Sequence, residues 1–450
     1  MTGKATPPGS TASTLGADRS GDSYLPQHGN GGYRVGHYDL DLDYRIASNL
    51  LSGRATVTAV TTQPLARFSL DLIGLRILRV LVDNVPVKYT HRAGKVRIRL
   101  TDTLPAGAEF TVEVRYSGNP RPVASRWGDI GWDELTDGVL VASQPVGAPS
   151  WYPCDDHPAA KATYDVSLTT ASAYTVLVTG NLVSRRSGAG TTTWVYRRPQ
   201  PTASYLMSVQ IGRYDRIVLA AGSVPQTAEV PSSLRAAAEY DFARQGQIML
   251  ALQQFFGPYP FENYVIVVTG DDLDDPVEAQ GMSIFGANHV DGRRTHERLV
   301  VHELAHQWFG NSLTVADWRH IWLNEGFATY AEWLWSEATG SLSAHENAVQ
   351  WHARLATRSA DLRVADPGPT KMFDERVYRR GALTLHALRG RMGDEKFFAL
   401  LRAWTDEHRH GTVTTDQFIA LAEQHAGQSL GDLFTAWLLR TRLPPLDGES

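Results

Sequence analysis

The sequence predicts an α+β fold, with an N-terminal antiparallel β domain followed by a mostly helical domain. Three observations carry that reading. Residues 37–46, HYDLDLDYRI, alternate strictly, placing Tyr38, Leu40, Leu42 and Tyr44 on one face and Asp39, Asp41 and Asp43 on the other. That period of two marks a half-buried strand, and the aspartates read as its solvated face. Short strand-like segments then recur as far as residue 217, whereas beyond residue 230 the apolar residues fall mainly at helical spacing.

The whole chain sets the outer bounds. Its 450 residues are enough for two or three domains with substantial cores. With 42% hydrophobic residues, 20% charged residues and a net charge of −5, nothing points to nucleic acid or an anionic membrane as partner. No apolar run approaches the roughly 18 residues of a membrane span. The lone cysteine, Cys154, excludes an intrachain disulfide and reads as a small buried core residue. Residues 1–22 are rich in Gly, Ser, Thr and Pro and lack an apolar signal core, so they read as a disordered leader. A cytoplasmic location is the expectation, or a secreted one if the natural N-terminus is longer.

Order begins at the turn-rich GNGGY of residues 29–33. After the alternating strand, segments 54–61, 67–73, 76–83, 85–90, 95–100 and 109–116 read as strands of one antiparallel domain. Strands continue over 174–183 and 191–198, and 204–217 closes a first domain spanning 23–218. Gly222, Pro225 and Pro231 then mark a linker. A helix is predicted from Ser233 to Phe256, with Ser232 or Ser233 as its N-cap, and then a turn and a buried strand in GPYPFENYVIVVTG. Two or three amphipathic helices fill 381–402 and 415–440, completing a second domain over 219–445.

The chemistry concentrates between Leu299 and Glu332. Apolar residues Leu299, Val300, Leu304, Ala305, Trp308 and Phe309 fall at helical spacing, with Gly310-Asn311 as the expected stop. On that helix His302 and His306 stand at i and i+4, so both imidazoles leave one face and can share a Zn²⁺ at about 2.0–2.1 Å. Glu303 is rotated by about 100° from His302, too far to join them as a ligand but well placed to take a proton from water. Glu325, separated from His306 by 18 residues, is the candidate third ligand. Alone, the HExxH pentapeptide also suits an amphipathic core helix with two histidines at its edge.

The longer stretch HELAHQWFGNSLTVADWRHIWLNEGFATYAE resembles the zinc helix and following helix of the aminopeptidase N family of zinc metallopeptidases. The resemblance implies a thermolysin-like zinc peptidase domain with one Zn²⁺ per chain, and it names Glu325 as the third ligand. Pro153, Cys154, Asp156, Pro158, Lys161 and Ala162 match a family segment in which a preceding glutamine, here Gln144, helps hold the substrate near its free N-terminus. A turn residue bonding its own backbone is the plainer reading of Gln144. Val146 stands where that segment carries an acid. Glu278, in VEAQGM, occupies the place of the family's glutamate that pairs with the substrate α-ammonium. Tyr378, before the Gly381-Ala382 helix, matches the family tyrosine, whose phenol donates to the oxyanion. Glu332 is i+7 from Glu325 and reads equally as a partner for a ligand histidine or as a solvated glutamate. The resemblance covers residues 22–445 and lacks the helical C-terminal domain of larger members, as in a short bacterial form.

The function expected from these residues is zinc-dependent hydrolysis of N-terminal peptide bonds, with peptide substrates and some endopeptidase activity. Two alternatives are a dedicated protease trimming the leader of a biosynthetic precursor and a non-catalytic peptide-binding relative.

Overall fold

A computed structural model describes residues 14–446. The alternating segment lies in strand Tyr33–Arg45, with Tyr38, Leu40, Leu42 and Tyr44 buried and Asp39, Asp41 and Asp43 exposed. This strand sits inside an eight-stranded sheet, antiparallel to Leu50–Thr61 on one side. On its other side it pairs with Ala162–Ala171 in parallel, a departure from the purely antiparallel expectation. The two strands lie far apart in sequence, so no hairpin dictates their direction. Three-stranded and five-stranded sheets complete the N-terminal half. Its core is aromatic: Tyr38 stacks on Tyr164 at 4.9 Å, and Tyr44 meets Trp132 edge-on at 4.9 Å.

Cys154 is buried, as expected, beside a cluster of polar groups. Asp71 pairs with Lys95 at 2.5 Å, Asp156 with His28 at 2.9 Å, and Asp155 accepts from the Asn30 backbone N–H at 2.7 Å. Burial, with Asp71 nearby, pushes the Asp155 carboxyl up to about 7 against the Asn30 hydrogen bonds and Lys95.

Three sequence expectations are corrected. Of the leader expected over 1–22, residues 1–13 lie outside the described residues, but 14–22 pack onto the fold. Gly16 bonds the Arg67 carbonyl, Asp18 pairs with Arg97, and Asp22 accepts from the Trp318 backbone. A polar composition hid these contacts because they use backbone and carboxylate groups, not apolar ones. The boundary expected after 218 falls inside strand Asp215–Ala221, whose hairpin partner is Pro225–Val230, so the supposed linker is mostly strand. The single helix expected over 233–256 is two: α1 (Arg235–Asp241) and α2 (Gln245–Phe256).

That hairpin begins a five-stranded sheet in the order 215–221, 225–230, 264–268, 282–285, 277–279. The last, Val277–Ala279, is an edge strand antiparallel to its neighbour. Helices follow: α3 (Glu297–Ala305), α4 (Trp322–Ala338), α5 (Ala344–Ala356), α6 (Glu375–Met392), α7 (Asp394–Glu407), α8 (Thr415–Ala426) and the short α9 (Gly431–Phe434). Helices α4 and α6 cross at two glycines, where a Cβ on Gly381 would lie 2.8 Å from the Gly326 Cα. The two halves are tied by the half-buried Lys161, whose ammonium donates to the carbonyls of Asn311, Ser312 and Gly411 at 2.8–3.2 Å. Among the described residues no helix is long and apolar enough to cross a membrane.

Candidate active site

Helix α3 ends at Ala305 with His306 as its C-cap, one turn before the expected stop. Gly310, at φ +117°, lets the chain turn back so that its N–H reaches the Leu313 carbonyl. His302 and His306 remain on one face, and both rings are buried. Each has its Nδ1 committed: His302 to Glu332 Oε1 at 2.8 Å, His306 to the Phe309 carbonyl at 3.0 Å. Their Nε2 atoms therefore face inward, 3.5 and 3.4 Å from Oε2 of Glu325 in the first turn of α4. Two donors held about 2.0–2.1 Å from one tetrahedral ion would stand roughly 3.3–3.4 Å apart, so this donor set fits zinc.

The electrostatics also suit a dication. Burial opposes charge on both histidines, yet Glu325 and Glu332 raise His302 to about 9, and Glu325 and Glu278 raise His306 to about 10. Burial works against the Glu325 carboxylate too, but His306 and His302 hold it down at about 2. A Glu303 carboxylate oxygen lies within 4.8 Å of a His306 ring nitrogen and of a Glu278 oxygen, and Glu303 Oε2 is buried with no hydrogen-bond partner among the described residues. Burial pushes Glu303 up to about 7 despite His302 and His306, with Glu278 and Glu325 adding to the rise.

Glu278 enters from the edge strand 277–279 and is buried. Gln144, from the N-terminal half, donates its Nε2–H to Glu278 Oε1 at 2.7 Å, so it is more than a turn residue. Gln307, which the sequence reading passed over, and Asn311, which it read only as part of the helix stop, fix this strand against the zinc helix. Gln307 accepts from the Gly281 N–H at 2.7 Å and donates to the Ala279 carbonyl at 3.1 Å, to which Asn311 also donates at 3.0 Å. Their only sequence signal is a place just after His306. Val146, the departure from the family pattern, is buried.

Tyr378 lies in the first turn of α6, its ring nearly parallel to that of His302 with centroids 6.1 Å apart. Among the described residues its hydroxyl makes no hydrogen bond. Burial, then the charges of Glu325, Glu278, Asp275 and Glu303, push its pKa well up, so the phenol keeps its proton at neutral pH. Of the two readings of Glu332, the structure supports the one that bonds a histidine.

Residues 240–437 match the peptidase family M1 domain, and residues 35–206 match the peptidase M1 N-terminal domain. An M1 zinc metallopeptidase from Deinococcus radiodurans superposes with a TM-score of 0.86 at 30% identity, covering 95% of this chain and 99% of that one. The chain belongs to the peptidase M1 family. Two further relatives share less sequence identity. Aminopeptidase M1-D of Oryza sativa subsp. japonica is 22% identical over 449 residues, and aminopeptidase N of Lactococcus lactis subsp. lactis 24% over 472. These matches take in 90% and 95% of this chain but 50% and 52% of the relatives, so it spans about half their length. Within the M1 framework both matched regions meet at the site: Gln144 lies in the N-terminal one, and Glu278, His302, Glu303, His306, Glu325 and Tyr378 in the other.

Proposed function

We propose that this chain is a zinc-dependent aminopeptidase that hydrolyses the N-terminal bond of peptides. The observation that carries most weight is the convergence of two inward Nε2 atoms and one Glu325 oxygen at 3.4–3.5 Å, beside a Glu303 oxygen without a partner. His302, His306 and Glu325 would hold the ion. A zinc ion there would supply Lewis-acid activation of water and of the scissile carbonyl.

The protein's own residues divide the remaining work. Glu303 takes the proton of the attacking water and returns it to the leaving amine; its upward-shifted carboxyl suits that two-way role near neutral pH. Tyr378 donates its free O–H to the oxyanion that forms on the former carbonyl. Glu278 accepts the substrate α-ammonium in a charge-assisted hydrogen bond, with Gln144 fixing the carboxylate from the other side. Anchoring that amine sets the first peptide bond, rather than a later one, against Glu303. Support for a peptide in this cleft comes from a 29%-identical Deinococcus radiodurans relative, an M1 zinc metallopeptidase mutant crystallised with a Tyr-Ser-Ala substrate.

Metal analysis of the purified protein tests the reading together with two classes of variant. The wild type should carry about one zinc per chain and lose activity to a chelator. His302→Ala, His306→Ala and Glu325→Ala should lower the zinc content, while Glu303→Gln should keep the metal and lose turnover. A zinc-free wild type with full activity would end this reading.

A further inference from the structure

Glu332 is buried in α4, and its two oxygens have different partners. Oε1 accepts from His302 Nδ1 at 2.8 Å, and Oε2 accepts from Arg379 Nη1 at 3.2 Å. A second arginine, Arg298, approaches the same oxygen only to 3.7 Å and is more than half exposed. Arg379 is itself held. Its side chain is 12% exposed, and its guanidinium lies 4.2 Å over the Trp351 ring of α5. It follows Tyr378 in α6, so one turn of helix reaches the site with a phenol and reaches behind His302 with a cation. A carboxylate that orients a ligand histidine is itself oriented by what its other oxygen bonds.

We propose that Arg379 is a positioning residue for metal binding: by clamping Glu332 it keeps His302 with Nδ1–H toward Glu332 and Nε2 toward Glu325. This rests on the reading that His302, His306 and Glu325 hold zinc. Arg379 touches neither substrate nor donor set and acts through Glu332 alone. A merely structural arginine, packed on Trp351, would affect folding and leave zinc affinity unchanged.

The test is zinc release from the holoenzyme to a chromophoric chelator, giving a dissociation constant for each variant, with thermal unfolding as the fold control. Arg379→Met should weaken zinc binding about 10–100-fold, and Arg298→Met less than about threefold, because its contact is longer and more solvated. Arg379→Lys keeps the charge without the planar fork and should fall between Met and wild type. The double variant Arg379→Met/Glu332→Gln should bind zinc within about twofold of Glu332→Gln alone, since the effect runs through that carboxylate. A folded Arg379→Met protein with a zinc constant within threefold of wild type overturns the proposal, as do effects of Arg379 and Glu332 that simply multiply. Should the Met variant not fold, Arg379→Gln is read by the same criterion. A wild type that binds no zinc overturns the metal reading instead, so the two failures are separable.

Discussion

Replacing Gly381 by alanine tests whether the crossing of α4 and α6 sets the geometry of the site. The new Cβ would stand 2.8 Å from the Gly326 Cα, 0.6 Å short of the 3.4 Å at which ordinary contact begins. The obstacle is backbone, so it cannot swing aside; the helices must part. Gly326 follows Glu325 in α4, and Gly381 lies one turn beyond Tyr378 in α6, so the displacement falls between the ligand carboxylate and the phenol. Helix propensity alone would make Gly→Ala stabilising by about 0.8–1 kcal/mol. Overpacking costs about 1–3 kcal/mol and should win, giving a lower melting temperature. A misplacement of about 1 Å at a reacting centre costs on the order of 10²-fold, so a shift of roughly 0.6 Å should lower kcat by about tenfold or more with KM little changed. Gly390, in the same helix with nothing within 4 Å of its would-be Cβ, is the control: Gly390→Ala should stabilise and leave turnover alone. Thermal unfolding and steady-state kinetics on an aminoacyl fluorogenic substrate read both outcomes. A Gly381→Ala protein with wild-type melting temperature and kcat would refute the reasoning.

Three further outcomes are expected. Tyr378→Phe, which removes one hydroxyl, should lower kcat by about 10²–10³ with little change in KM; a change below about threefold would make the residue a packing group. Glu278→Ala should erase most of the discrimination between free and N-acetylated peptides while leaving zinc bound. With Val146 in place of a second acid, the wild type should prefer free amines yet cleave internal bonds of long flexible peptides measurably. Mass spectrometry of one peptide in both forms decides this, and complete inertness of the acetylated form would contradict the relaxed specificity. Asp155 has a folded pKa of about 7, above its usual 3.8, so its contribution to stability is full below about pH 3.8 and is lost as pH rises through 7. Asp155→Asn removes that titration and should raise the melting temperature more at pH 8.5 than at pH 5.5; an equal shift at both would contradict a raised pKa.

Local periodicity and spacing were enough to determine much of this protein. The strand through Tyr38, Leu40 and Leu42 was legible because a half-buried sheet imposes a period of two on the side chains themselves. The i, i+4 histidines were legible because helix geometry alone puts them on one face. Only the tertiary structure decided which distant groups complete the site. Gln144 reaches Glu278 from the other half of the chain, Gln307 and Asn311 pin the Glu278 strand, and Arg379 meets Glu332 from a different helix. None of these pairs shares a repeat or a fixed separation, since each depends on how whole elements pack. The same holds for the parallel pairing of 33–45 with 162–171, for residues 14–22 folding back onto the sheet, and for the Gly326–Gly381 crossing. Spacing along the chain reports the face an element presents, and only packing determines what that face meets.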